Sequence, residues 1–453
     1  MKSLKLPKQK VRSPFKILTI GFLSIILLGA IILSFPISSS NGTRTNFLDS
    51  FFTATSSVCV TGLVTLDTAT HWSMFGKTII MILIEVGGLG FMAITTIFAL
   101  VLGKKITLKE RLVMQEAYNT FNIQGIIRHV IYLLLFTVSV QAIAAVTLMT
   151  QFIPMFGVKK GVFFGVFHSV SAFCNAGFDL LGDFTSFTVL NHNKVILLTL
   201  SSLIIIGGLG YTVWREIFYN IRTKKSFKKL SLHSKVVITM SVSLIVIGTV
   251  LFLVAEWSNP GTMSKMSFGD KLVNSYFSAV TPRTAGFNSI STTAMSGSGK
   301  VITMIYMFIG GSPGSTAGGI KTTTLAIIIF TVISVIRGRE DTEIYRKRIV
   351  KSSVYKAMTV LILGIGVVVV GIMLLSVTEK NTVFEHIVYE VISAFGTVGL
   401  TEGLTQSLSS AGKIIISVIM YLGRLGPITV MLAFSNTRQK VNIQYPEDKL
   451  LIG

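Results

Sequence analysis

The sequence predicts an all-α membrane protein with eight transmembrane helices, arranged as four helix–pore loop–helix repeats around a central pore. Three observations lead there: an apolar composition, a periodic distribution of positive charge, and a fourfold internal repeat. Of 453 residues, 51% are hydrophobic and only 13% charged, and the mean hydropathy is +0.71. Soluble chains carry about 25% charged residues, so a globular surface of this size would go unwetted. The 31 Phe exclude a solvating, disordered chain. Six His without metal spacing and two Cys exclude a Cys-rich metal site or a disulfide scaffold.

The net charge of +22 would suggest nucleic acid in a soluble protein. Its distribution argues against that. Of the 41 Lys and Arg, 28 fall in five patches, at 1–16, 103–128, 215–235, 337–356 and 437–453, separated by 80 or more mostly apolar residues. Recurring basic patches mark the cytoplasmic face of a polytopic protein and meet anionic lipid or an acidic partner. The organisation that follows is a basic cytoplasmic N-terminus at 1–16, repeat 1 at 17–102, repeat 2 at 125–221, repeat 3 at 233–336 with a broken second helix, repeat 4 at 351–436, and a cytoplasmic tail at 437–453.

Each repeat is justified by its own residues. The first apolar stretch, 17–35, is too long for a signal-peptide core and lacks a nearby cleavage site, so it reads as a spanning helix. The stretches 130–153, 236–255 and 357–376 are its counterparts. After each comes a 12-residue segment that aligns without gaps: FTATSSVCVTGL from Phe52, FHSVSAFCNAGF from Phe167, YFSAVTPRTAGF from Tyr276 and YEVISAFGTVGL from Tyr389. The eleventh place is always Gly: Gly62, Gly177, Gly286 and Gly399. Cys59 and Cys174 share one column, which fits small packed side chains better than a disulfide. A second apolar run follows, begun by Lys77, Lys194, Lys300 and Lys413. Glycine returns ten residues after the Lys in three repeats (Gly87, Gly310, Gly423) and thirteen after it in the second (Gly207).

The segment between the two helices is too short to span. Phe47–Val58 makes about 18 Å of helix, and it carries Ser and Thr that lipid would not favour. Such a loop is tolerated at membrane depth only inside protein or beside water. A half-helix entering from outside points its partly negative C-terminal end at the pore centre. Rings of backbone carbonyls after it replace the hydration shell of a monovalent cation. Glycine serves there because one residue per loop must adopt a backbone conformation closed to side chains with a Cβ.

These segments resemble the superfamily of K+ transporters that includes the Trk, Ktr and HKT proteins, and the resemblance covers essentially the whole chain. The absence of an extra apolar helix pair ahead of the first unit, and the tail YPEDKLLIG at Tyr445–Gly453, place the likeness in the Ktr branch. The resemblance implies a K+ uptake pore whose filter carbonyls belong to Val60, Thr61, Gly62, Asn175, Ala176, Gly177, Thr284, Ala285, Gly286, Thr397, Val398 and Gly399. It further implies K+ as the transported ion, a homodimer, and a separate cytosolic nucleotide-binding ring of the RCK type. The basic patches 103–128, 215–235 and 337–356 read as its docking surfaces, with anchoring to membrane lipid as the alternative. Na+ coupling or activation stays open at this level.

Two features sit near mid-membrane. The stretch GGSPGSTAGGI, comprising Gly310, Gly311, Ser312, Pro313, Gly314, Ser315, Thr316, Ala317, Gly318, Gly319 and Ile320, cannot continue a helix. It begins ten residues, about 15 Å, below Lys300 and reads as a loop across the cavity, a candidate gate, with a static kink as the alternative. Arg424 replaces the second Gly of the GGLG pattern. A cation at that depth must face the interior and be paired, either with loop carbonyls or with a carboxylate such as Glu85. In the family an arginine at this place contacts that loop. Lys321 would sit at the cytoplasmic mouth.

Rival classes fit less well. SGSGK and GGIKT fail the phosphate-loop pattern because Ala294 and Ile320 stand where it needs Gly, so no enzyme is expected. An alternating-access symporter is the remaining alternative, since broken helices mark such carriers too. Repeats that all run in one orientation favour a pore.

Overall fold

The computed structural model describes residues 14–90, 92, 93, 96, 106–117, 125–224, 226–434, 446 and 448. Most of the N-terminal basic segment, the end of the first repeat near 97–102, parts of the 103–128 patch and nearly all of the 437–453 tail lie outside them.

The fold is almost entirely helical. The first unit holds α1 (Pro14–Ser34), α2 (Phe47–Cys59) and α3 (Met74–Leu89), followed by α4 (Leu108–Ala117). The second holds α5 (Ile126–Phe156), α6 (Val158–Cys174), α7 (Lys194–Leu209) and α8 (Tyr211–Arg222). The third holds α9 (Leu232–Glu256), α10 (Phe268–Val280), α11 (Gly297–Phe308) and α12 (Thr322–Ile336). A hairpin of β1 (Glu343–Ile344) and β2 (Lys347–Arg348) leads to α13 (Lys351–Thr378), α14 (Phe384–Gly396), α15 (Ser410–Leu425) and α16 (Pro427–Phe434).

Among the described residues, α1, α5, α9 and α13 are long and apolar enough to cross a membrane. They are the first helices of the four units, and their outward faces are lined by exposed Leu, Ile and Val. The second helices bend or break. α7 and α8 meet at 98° and α15 and α16 at 93°. The cause is a glycine terminator: Gly90, Gly210 and Gly426 follow α3, α7 and α15 with φ of 80°, 89° and 83°. In the first two units the last Gly of the GGLG pattern is the residue that ends the helix.

One cap frame governs all four second helices. Ser73, Asn193, Ser296 and Ser409 accept from the backbone N–H three residues on, at 3.0–3.1 Å. The glycines Gly87, Gly207, Gly310 and Gly423 each stand fourteen residues after their cap. The irregular spacing in the second unit disappears in this frame. Lys194 is the first residue of α7, whereas Lys77, Lys300 and Lys413 lie in the fourth position of their helices.

The core lies where each short helix packs against the second helix of the preceding unit, α2 on α15, α6 on α3, α10 on α7 and α14 on α11. Phe52, Phe167, Phe277 and Tyr389 are fully buried there. Cys59 and Cys174 are free and buried, as their shared column suggested.

Candidate functional site: four glycine turns and a broken helix

Three of the short helices end in the same way. α2, α6 and α14 stop at Cys59, Cys174 and Gly396, and the next residues, Val60, Asn175 and Thr397, are left-handed with φ of 58°, 61° and 51°. Two residues on, Gly62, Gly177 and Gly399 have φ of 95°, 69° and 94°. A non-glycine residue in this region is strained, and the turn holds it with hydrogen bonds. Thr61 N, Ala176 N and Val398 N donate to Ser56 O, Ser171 O and Ser393 O at 2.8–2.9 Å. The Ser56 and Ser393 hydroxyls accept from Gly62 N and Gly399 N.

The third unit departs on the helix but rejoins at the turn. Pro282 has no N–H to extend the ladder, so α10 stops at Val280. Thr281 then takes the part of the serine, accepting from Ala285 N at 2.9 Å and Gly286 N at 3.3 Å. Phe277, not Tyr276, is the fully buried aromatic. Thr284 and Gly286 recover φ of 79° and 78°. The ungapped alignment therefore holds at the glycines and slips by one residue on the helix.

The four turns close a ring. A Cβ added to Gly62 would come within 3.0 Å of Ala176 O, one on Gly177 within 3.0 Å of Ala285 O, one on Gly286 would overlap Val398 O, and one on Gly399 would overlap Thr61 O. Each signature glycine thus lies against the middle carbonyl of the next unit's triplet, in cyclic order. Glycine is required here twice, by its φ and by this approach.

Ion pairs stitch neighbouring units together. Lys413 of the fourth unit meets Asp49 on α2 at 2.6 Å, Lys194 of the second meets Asp270 on α10 at 3.3 Å, and Lys300 of the third meets Glu385 on α14 at 3.0 Å. In the first unit Lys77 instead donates to Ala69 O at 2.6 Å. Sequence reading marked the lysines but missed their acids, although all three stand in the first turn of a short helix. Asp49→Lys should destabilise the protein by about 1–3 kcal/mol, between the exposed and buried limits for an ion pair. The double variant Asp49→Lys, Lys413→Asp should recover most of that loss. Thermal unfolding of the detergent-solubilised protein measures both.

Below the ring, α11 ends at Phe308 and α12 begins at Thr322. The stretch between them is ordered by its own backbone and by the second unit. Gly310 N donates to Ile320 O at 2.9 Å, Ser312 N to Gly208 O at 3.0 Å and Thr316 N to Gly207 O at 3.3 Å. Ser315 Oγ donates to Ser312 O at 2.6 Å. A Cβ on Gly318 would overlap Thr397 Oγ1, so the loop lies directly beneath the turn of the fourth unit. Arg424 Nη1 donates to Thr316 O, and Nη2 donates to Gly87 O at 2.5 Å. Lys321 Nζ donates to Ala317 O at 2.5 Å. Glu85 does not pair with Arg424: its carboxylate accepts from Gln141 Nε2 at 2.9 Å and from Cys174 Sγ at 3.3 Å. A cavity of about 450 Å3 opens beneath, lined by the loop, Lys321, Arg424 and Lys356.

Known proteins share this architecture. The family model described as "TrkH: Cation transport protein" matches residues 3–445. The potassium/sodium uptake protein NtpJ of Enterococcus hirae is 45% identical over 98% of this chain and 99% of its own. The Ktr system potassium uptake protein B of Bacillus subtilis is 43% identical over 97% of both chains. The crystal structure of the potassium transporter TrkH from Vibrio parahaemolyticus superposes with a TM-score of 0.71 at 19% identity, covering 95% of this chain and 86% of that one.

Proposed function

Because the chain belongs to the TrkH family of cation transport proteins, we propose that it is the K+-translocating membrane subunit of a Ktr-type potassium uptake system. It is a transporter and not an enzyme. It resides in the cell membrane as a multi-pass protein with eight spans in four repeats, both termini cytoplasmic. The observation that carries the reading is the closed ring of glycine turns. φ values of opposite sign at successive residues turn successive carbonyls to one side, so Val60–Gly62, Asn175–Gly177, Thr284–Gly286 and Thr397–Gly399 offer four facing sets of oxygens to a dehydrated monovalent cation. Thr61 Oγ1, Thr397 Oγ1 and Asn175 Oδ1 are buried there without a hydrogen-bond partner among the described residues, which supports a site that receives a cation. No ring of acidic side chains stands at these positions to favour a divalent ion.

The loop 310–320 and Arg424 form the gate beneath this filter. The assembly is a homodimer regulated by a cytosolic RCK-type nucleotide-binding ring, and the basic segments around 215–235 and 337–356 offer it a cytoplasmic surface. The protein should restore growth of an uptake-deficient bacterium at limiting K+. Reconstituted in proteoliposomes, it should give reversal potentials that follow the K+ gradient. A shift of those potentials with the Na+ gradient assigns coupled symport; a change of rate without a shift assigns Na+ activation. Failure to move K+ in either assay would overturn the reading.

A further inference from the structure

In three units the segment that leaves the glycine turn is tied back, by a side chain, to the short helix that enters it. Glu390 on α14 is fully buried. Its Oε2 accepts from Thr401 Oγ1 at 2.6 Å, and its Oε1 accepts from Thr405 Oγ1. Thr401 stands two residues after Gly399, and its carbonyl accepts from Thr292 Oγ1 of the third unit at 2.7 Å. His168 on α6 is fully buried too. Its Nε2 accepts from Leu180 N, three residues after Gly177, at 3.2 Å, and its Nδ1 donates to Phe164 O at 2.8 Å. A backbone N–H must donate and a carbonyl must accept, so the ring is neutral with its proton on Nδ1. In the first unit Asp49, in the first turn of α2, accepts from Thr65 Oγ1 at 3.0 Å.

Glu390 and His168 share one column. Each directly follows the aromatic residue that opens its 12-residue segment. The same place is Thr53 in the first unit and, in the slipped frame of the third, Ser278. The column therefore carries a long polar side chain in two opposite units and a short hydroxyl in the other two. In the second and fourth units the turn is held on both flanks. Ahead of the glycine, Ala176 N and Val398 N donate to Ser171 O and Ser393 O. Beyond it, His168 and Glu390 hold the departing segment. The triplet between them cannot shift without breaking the bonds of one flank or the other.

We propose that Glu390 and His168 are positioning residues that set the preference of the ring for K+ over Na+. The inference rests on the reading of the ring as the filter. A smaller ion binds well only if the carbonyls close in around it, so turns clamped on both flanks favour the larger one. Glu390 acts through Thr401 and Thr405, and His168 through Leu180, rather than on the ion itself.

Reversal potentials of the full-length protein in proteoliposomes, with K+ on one side and Na+ on the other, read the permeability ratio. Glu390→Met removes both acceptors at similar volume and should lower the K+/Na+ ratio by about two- to ten-fold, the equivalent of one neutral hydrogen bond. Glu390→Gln keeps one acceptor oxygen and should recover part of that loss. Thr401→Val cuts the same bond from its other end and should lower the ratio alike, which keeps the test open if Glu390→Met does not reach the membrane. His168→Leu should act in the same direction. Glu256→Met is the control. Glu256 is equally buried, and its carboxylate holds Ser296, Asn259 and Thr262, none of which belongs to a glycine turn. Its loss should lower the melting temperature and leave the ratio unmoved. An unchanged ratio in Glu390→Met and Thr401→Val, or in His168→Leu, would overturn the proposal. So would an equal fall in Glu256→Met, which would make the effect one of lost stability. A wild type without K+ selectivity, or K+ uptake that survives Gly62→Asp, would instead overturn the filter reading.

Discussion

Gly62→Asp and Gly286→Asp should each abolish K+ uptake while the protein remains in the membrane. At both positions φ is deep in the left-handed region, 95° and 78°, where a residue with a Cβ pays about 1–2 kcal/mol. That strain is the smaller part of the effect. The added Cβ would meet the Ala176 carbonyl in one case and the Val398 carbonyl in the other, so the oxygens that would line the pore must rotate or retreat. Because the ring is cyclic, moving one carbonyl displaces the turn of the adjoining unit as well. An acidic side chain adds a charge at a site that otherwise offers only oxygens of the main chain and of neutral side chains. Growth of an uptake-deficient host at limiting K+, with membrane abundance checked by immunoblot, measures this. Unchanged growth would remove the ring from the permeation path.

Much of this ring was legible in the sequence. Four ungapped 12-residue segments with one glycine column gave the turns, and each glycine has the positive φ that its place implied. What the sequence left out follows from long-range geometry. The first residue of each triplet is also left-handed, yet Val60 and Thr397 are β-branched and carry no signal for it. The acids that pair with Lys413, Lys194 and Lys300 lie in the next unit in cyclic order, up to 364 residues away, and become partners only when the units close. Pro282 was visible as a residue but not as a helix terminator inside an ungapped alignment. The true frame of the second helices is their Ser or Asn cap, a local signal that the more conspicuous lysines concealed. Arg283 was visible as the one charged residue in the column of Cys59, Cys174 and Gly396, but its burial appears only in the structure.

The second large effect is expected at the broken helix. Arg424→Ala should raise K+ flux in proteoliposomes lacking any regulatory partner, and so should partial deletion of 310–320. The guanidinium joins three pieces of chain: Nη1 donates to Thr316 O in the loop, while Nη2 donates to Gly87 O at the end of α3. It therefore fastens the loop of the third unit to the first unit across the cavity, from its own place on α15. A hydrogen bond to a charged group contributes roughly 1.5–3 kcal/mol, so its loss shifts an open–closed equilibrium by about ten-fold or more. Removing the side chain also removes a positive charge from the path of a cation, which acts in the same direction. The loop keeps other anchors, Ser312 N on Gly208 O and Thr316 N on Gly207 O, so Arg424→Ala should loosen it without unfolding it. Lys321 stays in the cavity, held by Ala317 O, and keeps part of the electrostatic barrier. Partial deletion of the loop leaves Lys321 and Arg424 in place but takes away main chain that crosses the cavity, so it should raise flux further than Arg424→Ala. Arg424→Lys separates the two contributions: it retains the charge but cannot reach both carbonyls at once, and its flux should fall between those of the wild type and the alanine variant. Equal or lower flux in all three variants, with unchanged melting temperature, would make the arginine a structural brace and the loop a fixed kink.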